Sequence, residues 1–72
     1  MDYILVTFRC NEIVEDLKVP AFIPISELID TFNEIYQAGG KMLHAEPKGI
    51  ILDKSKTLSA QGIGHGAMLI LS

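Results

Sequence analysis

Three side chains in this sequence are of the type that could carry nucleophilic, redox or metal chemistry: Cys10, His44 and His65. A thiol beside an imidazole is a nucleophile–base pair, and two imidazoles with a thiolate are a plausible zinc ligand set. Zinc ligands typically come in closely spaced pairs, and these three residues lie far apart in sequence with no such spacing. Cys10 falls in the polar segment Arg9-Cys10-Asn11-Glu12, which reads as a turn, so its thiol is expected at the surface without an adjacent base. One cysteine allows neither an internal disulfide nor a four-thiolate iron–sulfur site. The chain is therefore expected to hold no metal and no cofactor, and to be no enzyme.

Other function classes are narrowed by charge and hydropathy. The six basic residues are scattered singly in a chain of net charge −3, so there is no basic stripe and nucleic acid is not an expected partner. No stretch of about 18 apolar residues is present, so no membrane insertion is expected. The first residues carry Asp2 and no basic segment ahead of an apolar one, which does not resemble a secretory leader. A cytoplasmic protein is the expectation. What stands out is an apolar fraction of 49% in only 72 residues, high for a small soluble chain, so part of it must be packed very efficiently or left outside.

The elements that position these residues follow from periodicity. Tyr3-Ile4-Leu5-Val6-Thr7-Phe8, rich in β-branched and aromatic residues, reads as a strand. Arg9–Glu12 turns it, and Ile13–Val19 returns as its hairpin partner, ended by Pro20, which has no amide hydrogen to donate. Ala21–Ile25 is an apolar loop, expected to lie as a lid over one end of the core with Phe22 and Ile25 as anchors. Ser26 is the expected N-cap of a helix with Glu27 and Asp30 in its first turn. Leu28, Ile29, Phe32, Ile35 and Tyr36 recur at helical spacing as one apolar stripe, and Gly39-Gly40 is the expected stop. Lys41–Ala45 and Ile50–Leu52 read as short strands around the turn Glu46-Pro47-Lys48-Gly49. Thr57–Gly66 then forms an irregular strut with Leu58 and Ile63 pointing inward. Ala67–Leu71 closes the chain as a strand apolar enough for the middle of a sheet. One domain over residues 1–72 is expected.

Hairpin, helix, short strands, strut and final strand together are similar to a β-grasp, and the details resemble ubiquitin. Thr57-Leu58-Ser59 followed by Gly62-Ile63 looks like that family's strut, Leu69-x-Leu71 like its last strand, and Leu17-Lys18-Val19 like its second strand. A narrower resemblance is to the YukD-like group of small ubiquitin-fold proteins of type VII secretion in Gram-positive bacteria. Asp16-Leu17-Lys18-Val19, Pro24-Ile25 and Leu28-Ile29-Asp30 match its spacing, and Gly62-Ile63 with Gly66 matches its ending, although Ala67 stands where the group tends to have Asp. The resemblance implies an α+β, ubiquitin-like β-grasp: a mixed β-sheet packed on one α-helix. It also implies strands one, five and three side by side. No Gly-Gly follows the final strand, as conjugated modifiers and sulfur carriers require, so conjugation is not expected.

If Ile4, Val6, Phe8, Leu17, Val19, Leu43, Leu69 and Leu71 face the helix, the two-residue period turns Tyr3, Leu5, Thr7, Met42, His44, Met68 and Ile70 outward. Given that strand order, Tyr3, Leu5, Met42, His44, Met68 and Ile70 would form one protein-binding patch on the open sheet face, the face through which ubiquitin is most often read. A large apolar patch on a free domain suits a partner surface. The expected function is a non-enzymatic interaction module, an accessory or regulatory component of a type VII-like secretion machine, with a machine component as partner. The same face can also serve as an isologous homodimer face. Two other readings stay open: a modifier or sulfur carrier that has lost its tail, and a detached adaptor domain of a larger enzyme.

Overall fold

A computed structural model describes residues 3–72. Met1 and Asp2, the start of the segment used above to argue against a leader, lie outside them. The elements run β1 (Tyr3–Cys10), β2 (Ile13–Pro20), α1 (Ile25–Tyr36), β3 (Leu43–Glu46), β4 (Ile50–Ile51), a 3-10 turn (Ser59–Gln61) and β5 (Met68–Leu71). They form one five-stranded sheet in the order β2-β1-β5-β3-β4, with β1 and β5 parallel and the other pairs antiparallel. This is the mixed sheet and single helix of a β-grasp. The most apolar strand, β5, does sit in the middle.

Both hairpin strands run further than propensity indicates. β1 and β2 pair from Tyr3↔Pro20 to Cys10↔Ile13, leaving only Asn11 and Glu12 as the turn. Asn11 makes this possible by taking a φ of 55°, a left-handed conformation that asparagine tolerates better than most residues. The consequence is that Cys10 belongs to the strand. Its parity is that of Ile4, Val6 and Phe8, so the thiol is buried, 4% exposed, and not in a surface turn.

The core lies between the inner face of the sheet and α1. Phe8 is fully enclosed, its ring 4.3 Å from Phe32 and 4.9 Å from Tyr36, centroid to centroid. Leu28, Ile29 and Phe32 are buried as the helical stripe requires, but Ile35 is 63% exposed. The stripe is narrower than the periodicity suggests because Phe8, Phe32 and Tyr36 fill the last turn. Leu58 and Ile63 are both buried, so the strut plugs the core from two points. The lid is held by Ala21 and Ile25, whereas Phe22 is 59% exposed and anchors nothing.

Both ends of α1 are made differently from the sequence expectation. No side chain caps the first turn, and Pro24, not Ser26, takes the N-cap position. The amides of Ile25 and Ser26 donate to the carbonyls of Lys56 and Lys54, and Pro24 bridges Thr57. A folded loop thus satisfies donors that a cap residue would otherwise satisfy. That loop is itself tied down. The Asp53 carboxylate accepts from the Ser55 hydroxyl and amide, and the Gln61 amide group spans Asp53 and Thr57. At the other end Gln37, at φ 52°, takes the left-handed closing position, leaving Gly39-Gly40 beyond the helix. Gly40 has a packing role instead: a Cβ there would sit 2.4 Å from Leu71 Cγ. Asn33 fixes the glycine by accepting from its amide and donating to its carbonyl.

Candidate functional site

The chemistry-bearing side chains do not converge. Cys10 is on the inner face of β1, His44 on the outer face of β3, and His65 in the turn before β5. No group of three or more histidines, cysteines and carboxylates able to hold a metal occurs among the described residues. The outer face of the sheet is the surface with organisation.

Its rows follow from the registers, because directly paired residues share a face. One row crosses all five strands: Val14, Arg9, Ile70, His44, Ile51. The next runs Asp16, Thr7, Met68, Glu46, and in it the Thr7 hydroxyl donates to Asp16 Oδ1 at 2.9 Å. Beyond β5, on the Leu5 side, the ladder is continued by the glycine turn. Gly66 donates its amide to the Leu5 carbonyl, and the Leu5 amide donates to His65 Nδ1 at 3.0 Å. That bond requires a neutral ring with its proton on Nε2. Lys18 pairs with Leu5, and its ammonium sits 5.1 Å from the centre of the Tyr3 ring.

The six sequence-predicted residues are therefore spread along the length of the face. His44, Met68 and Ile70 adjoin across β3 and β5, and Met42 extends them, its main chain paired with that of Ser72. Tyr3 and Leu5 lie at the other end of β1 with Lys18 and His65, and the Thr7–Asp16 pair intervenes. Thr7 aligns with Met68, so Ser72 and Met42 lie eight residue steps from the level of Tyr3, roughly 26 Å at about 3.3 Å per residue. The predicted residues thus form one elongated patch, in which Leu5 lies diagonally across from Met68, about 7–8 Å away.

The face also holds residues that sequence reasoning did not select. Of the eight exposed large apolar residues among the described residues, five are on it: Tyr3, Leu5, Val14, Met42 and Ile51. Val14 shares the outward parity of Asp16 and Lys18, so alternation carried the signal. Ile51 could not be found that way, because a two-residue strand has no period to read. Arg9, exposed in the longest row between Val14 and Ile70, was hidden by its assignment to a turn.

Two electrostatic features lie off this face. The Tyr36 hydroxyl donates to Glu15 Oε1 at 2.6 Å, and this bond, with burial and the carboxylate's charge, pushes the phenol up to about 12. The Ser55 hydroxyl and amide hold the Asp53 carboxyl below its ordinary value. Both serve architecture, the first joining α1 to β2 and the second shaping the loop that caps α1.

Comparison with known proteins agrees with this geometry. The ubiquitin-like domain of an Arabidopsis thaliana protein matches with a TM-score of 0.82 at 20% identity, covering 100% of this chain and 78% of that one. The ubiquitin of Caldiarchaeum subterraneum matches with a TM-score of 0.75 at 14% identity, covering 96% and 90%. The ubiquitin-like domain of the Mycobacterium tuberculosis type VII secretion system protein ECCD1 matches with a TM-score of 0.68 at 22% identity, covering 99% and 98%. Identities this low establish the fold, which is ubiquitin-like. No curated protein sequence matches the chain significantly. The family described as "WXG100 protein secretion system (Wss), protein YukD" matches residues 3–71. Spanning nearly the whole chain, that match places it in a family and not only in a fold: the protein belongs to the YukD family.

Proposed function

We propose that this protein is a non-enzymatic interaction module, an accessory or regulatory component of a type VII-like secretion machine, that docks a component of that machine on the cytoplasmic side through the outer face of its sheet. The observation that carries the reading is the concentration of exposed apolar side chains there: Tyr3, Leu5, Val14, Met42 and Ile51. On a domain this small such a face is costly to leave in water and suits a protein partner. Family membership supplies the secretion context. The ECCD1 domain supports it as a ubiquitin-like domain within a type VII secretion protein.

The reading calls on docking and not on conjugation. Gly40 has a packing role, held by Asn33 and pressed on Leu71. The test is genetic. In a host carrying the secretion system, Ile70→Glu and Leu5→Glu are expected to reduce export of the system's substrates into the medium about tenfold or more, the size of effect expected of a residue central to an interface. Cellular levels of the protein should be unchanged. Ile35→Glu, at an exposed helix position off the sheet, should export normally. Normal export by both sheet variants would overturn the reading.

A further inference from the structure

Resting on that reading, we propose that the partner lays an amphipathic helix across the strands of the outer face, with a carboxylate set against Arg9. The row Val14–Arg9–Ile70–His44–Ile51 spans four strand spacings, about 19 Å at roughly 4.8 Å each. An α-helix advances about 5.4 Å per turn, so a helix perpendicular to the strands offers one side chain per turn to each of the five strands over about 15 residues. An extended segment does not match this spacing. Its same-face side chains recur every 6.6 Å or so, and it would find its hydrogen bonds at a sheet edge.

Chemistry fixes the order of the contacts. Val14, Ile70 and Ile51 ask for apolar partners, and His44, between the last two, accepts an apolar or polar one. Arg9, one strand in from the β2 edge, is a guanidinium flanked by aliphatic neighbours. Nearby Asp16 lies in the adjoining row, where it accepts from Thr7. Covering Arg9 with apolar surface would desolvate a charge that has no ion-pair partner among the described residues, which is strongly unfavourable, whereas a carboxylate there forms a charge-assisted pair. The helix therefore carries its acidic residue at the second of five contacts, counted from the β2 side.

The probes are two alanine-based helical peptides of about 16 residues, with leucines at the other contact turns. They differ only in glutamate or lysine at the second. Each is titrated into isotope-labelled protein and followed by amide chemical shifts. The glutamate peptide is expected to bind about tenfold tighter at low salt, with shifts centred on β1, β5 and β3. Arg9→Glu should reverse the preference and Arg9→Gln should abolish it, each in a protein whose spectrum stays dispersed. Equal affinity of both peptides for the row would overturn the carboxylate assignment and leave the docking face standing. Shifts centred on α1, or no saturation by about 1 mM, would overturn both. Self-association abolished by Ile70→Glu would make a second copy the occupant, and would overturn the proposal too.

Discussion

The two faces of this sheet are cut from the same strands and have opposite fates. On β1, Ile4, Val6, Phe8 and Cys10 are sealed, while Tyr3, Leu5 and Arg9 between them are exposed and Thr7 is half-buried. On β5, Leu69 and Leu71 are buried and the alternating Met68 and Ile70 only partly so. Hydrophobicity does not separate the faces, since Leu5, Ile70 and Ile51 are as apolar as anything inside. What separates them is a second layer. The inner face has α1, Leu58 and Ile63 to close on and contains no buried polar side chain among the described residues. The outer face has comparable aliphatic surface, interleaved with Thr7, Asp16, Arg9 and His44, and no element of the described chain to cover it. An apolar surface with polar side chains set among its rows can survive in water and still select a partner. An unbroken one would aggregate.

Neighbouring residues on β5 give the largest test of this contrast. Leu69 is fully enclosed, so Leu69→Ala should cost about 3 kcal/mol through lost burial and the cavity left behind. Ile70, half-buried on the uncovered side, should cost about 1 kcal/mol on the same change. Urea denaturation of both variants measures the difference, and equal losses would mean that the faces are not energetically distinct. The inner face should resist addition as strongly as deletion. Gly40→Ala places a methyl against the buried Leu71 side chain and should cost about 2 kcal/mol through overpacking, read as a lower urea midpoint at unchanged slope. A neutral result would show that Leu71 can swing away, and that the closing corner of the core is looser than its geometry indicates.

Much of this was legible in the residues, and the failures have physical causes. Alternation in Tyr3–Phe8 and in the final strand assigns the faces correctly, because a period of two leaves no third choice. The Leu58…Ile63 spacing and the apolar closing strand identify the strut and the sheet centre. The hairpin turn misled, because Cys10 stands among the polar residues Arg9, Asn11 and Glu12, yet asparagine's tolerance of positive φ at position 11 lets the ladder run on. The helix start misled for a related reason. Ser26 is a good capping residue, but the carbonyls of Lys54 and Lys56, supplied by a loop some thirty residues later, reach the amides first. Local signals cannot report a partner delivered from far along the chain. The elongation of the predicted patch has the same origin. Parity places residues on a face, but the stagger between strands decides where along it they lie, and that is set by Thr7↔Met68 and Leu43↔Leu71.

The smallest effect expected lies where the inner layer meets its rim, at Tyr36. Its ring stacks on Phe8 while its hydroxyl leaves the core to donate to Glu15 on β2. The donor is the protonated phenol, so folding raises its pKa from 10.0 to about 12. A group whose pKa is raised on folding favours the folded state wherever it is protonated in both states, here below about pH 10. The advantage is lost as pH rises from there through about 12, because the unfolded phenol ionises first. Tyr36→Phe keeps the ring and removes the proton, so the difference between wild-type and variant stability should be constant near neutrality and shrink through that alkaline window. Glu15→Gln should bring the Tyr36 titration, followed by phenolate absorbance, back toward 10. Parallel pH profiles for wild type and Tyr36→Phe would mean that water replaces the carboxylate at no loss. The helix would then be held at this rim by its ring packing on Phe8 of β1 alone, and the boundary between sealed and open surface would fall at the aromatic stack and not at the hydrogen bond beyond it.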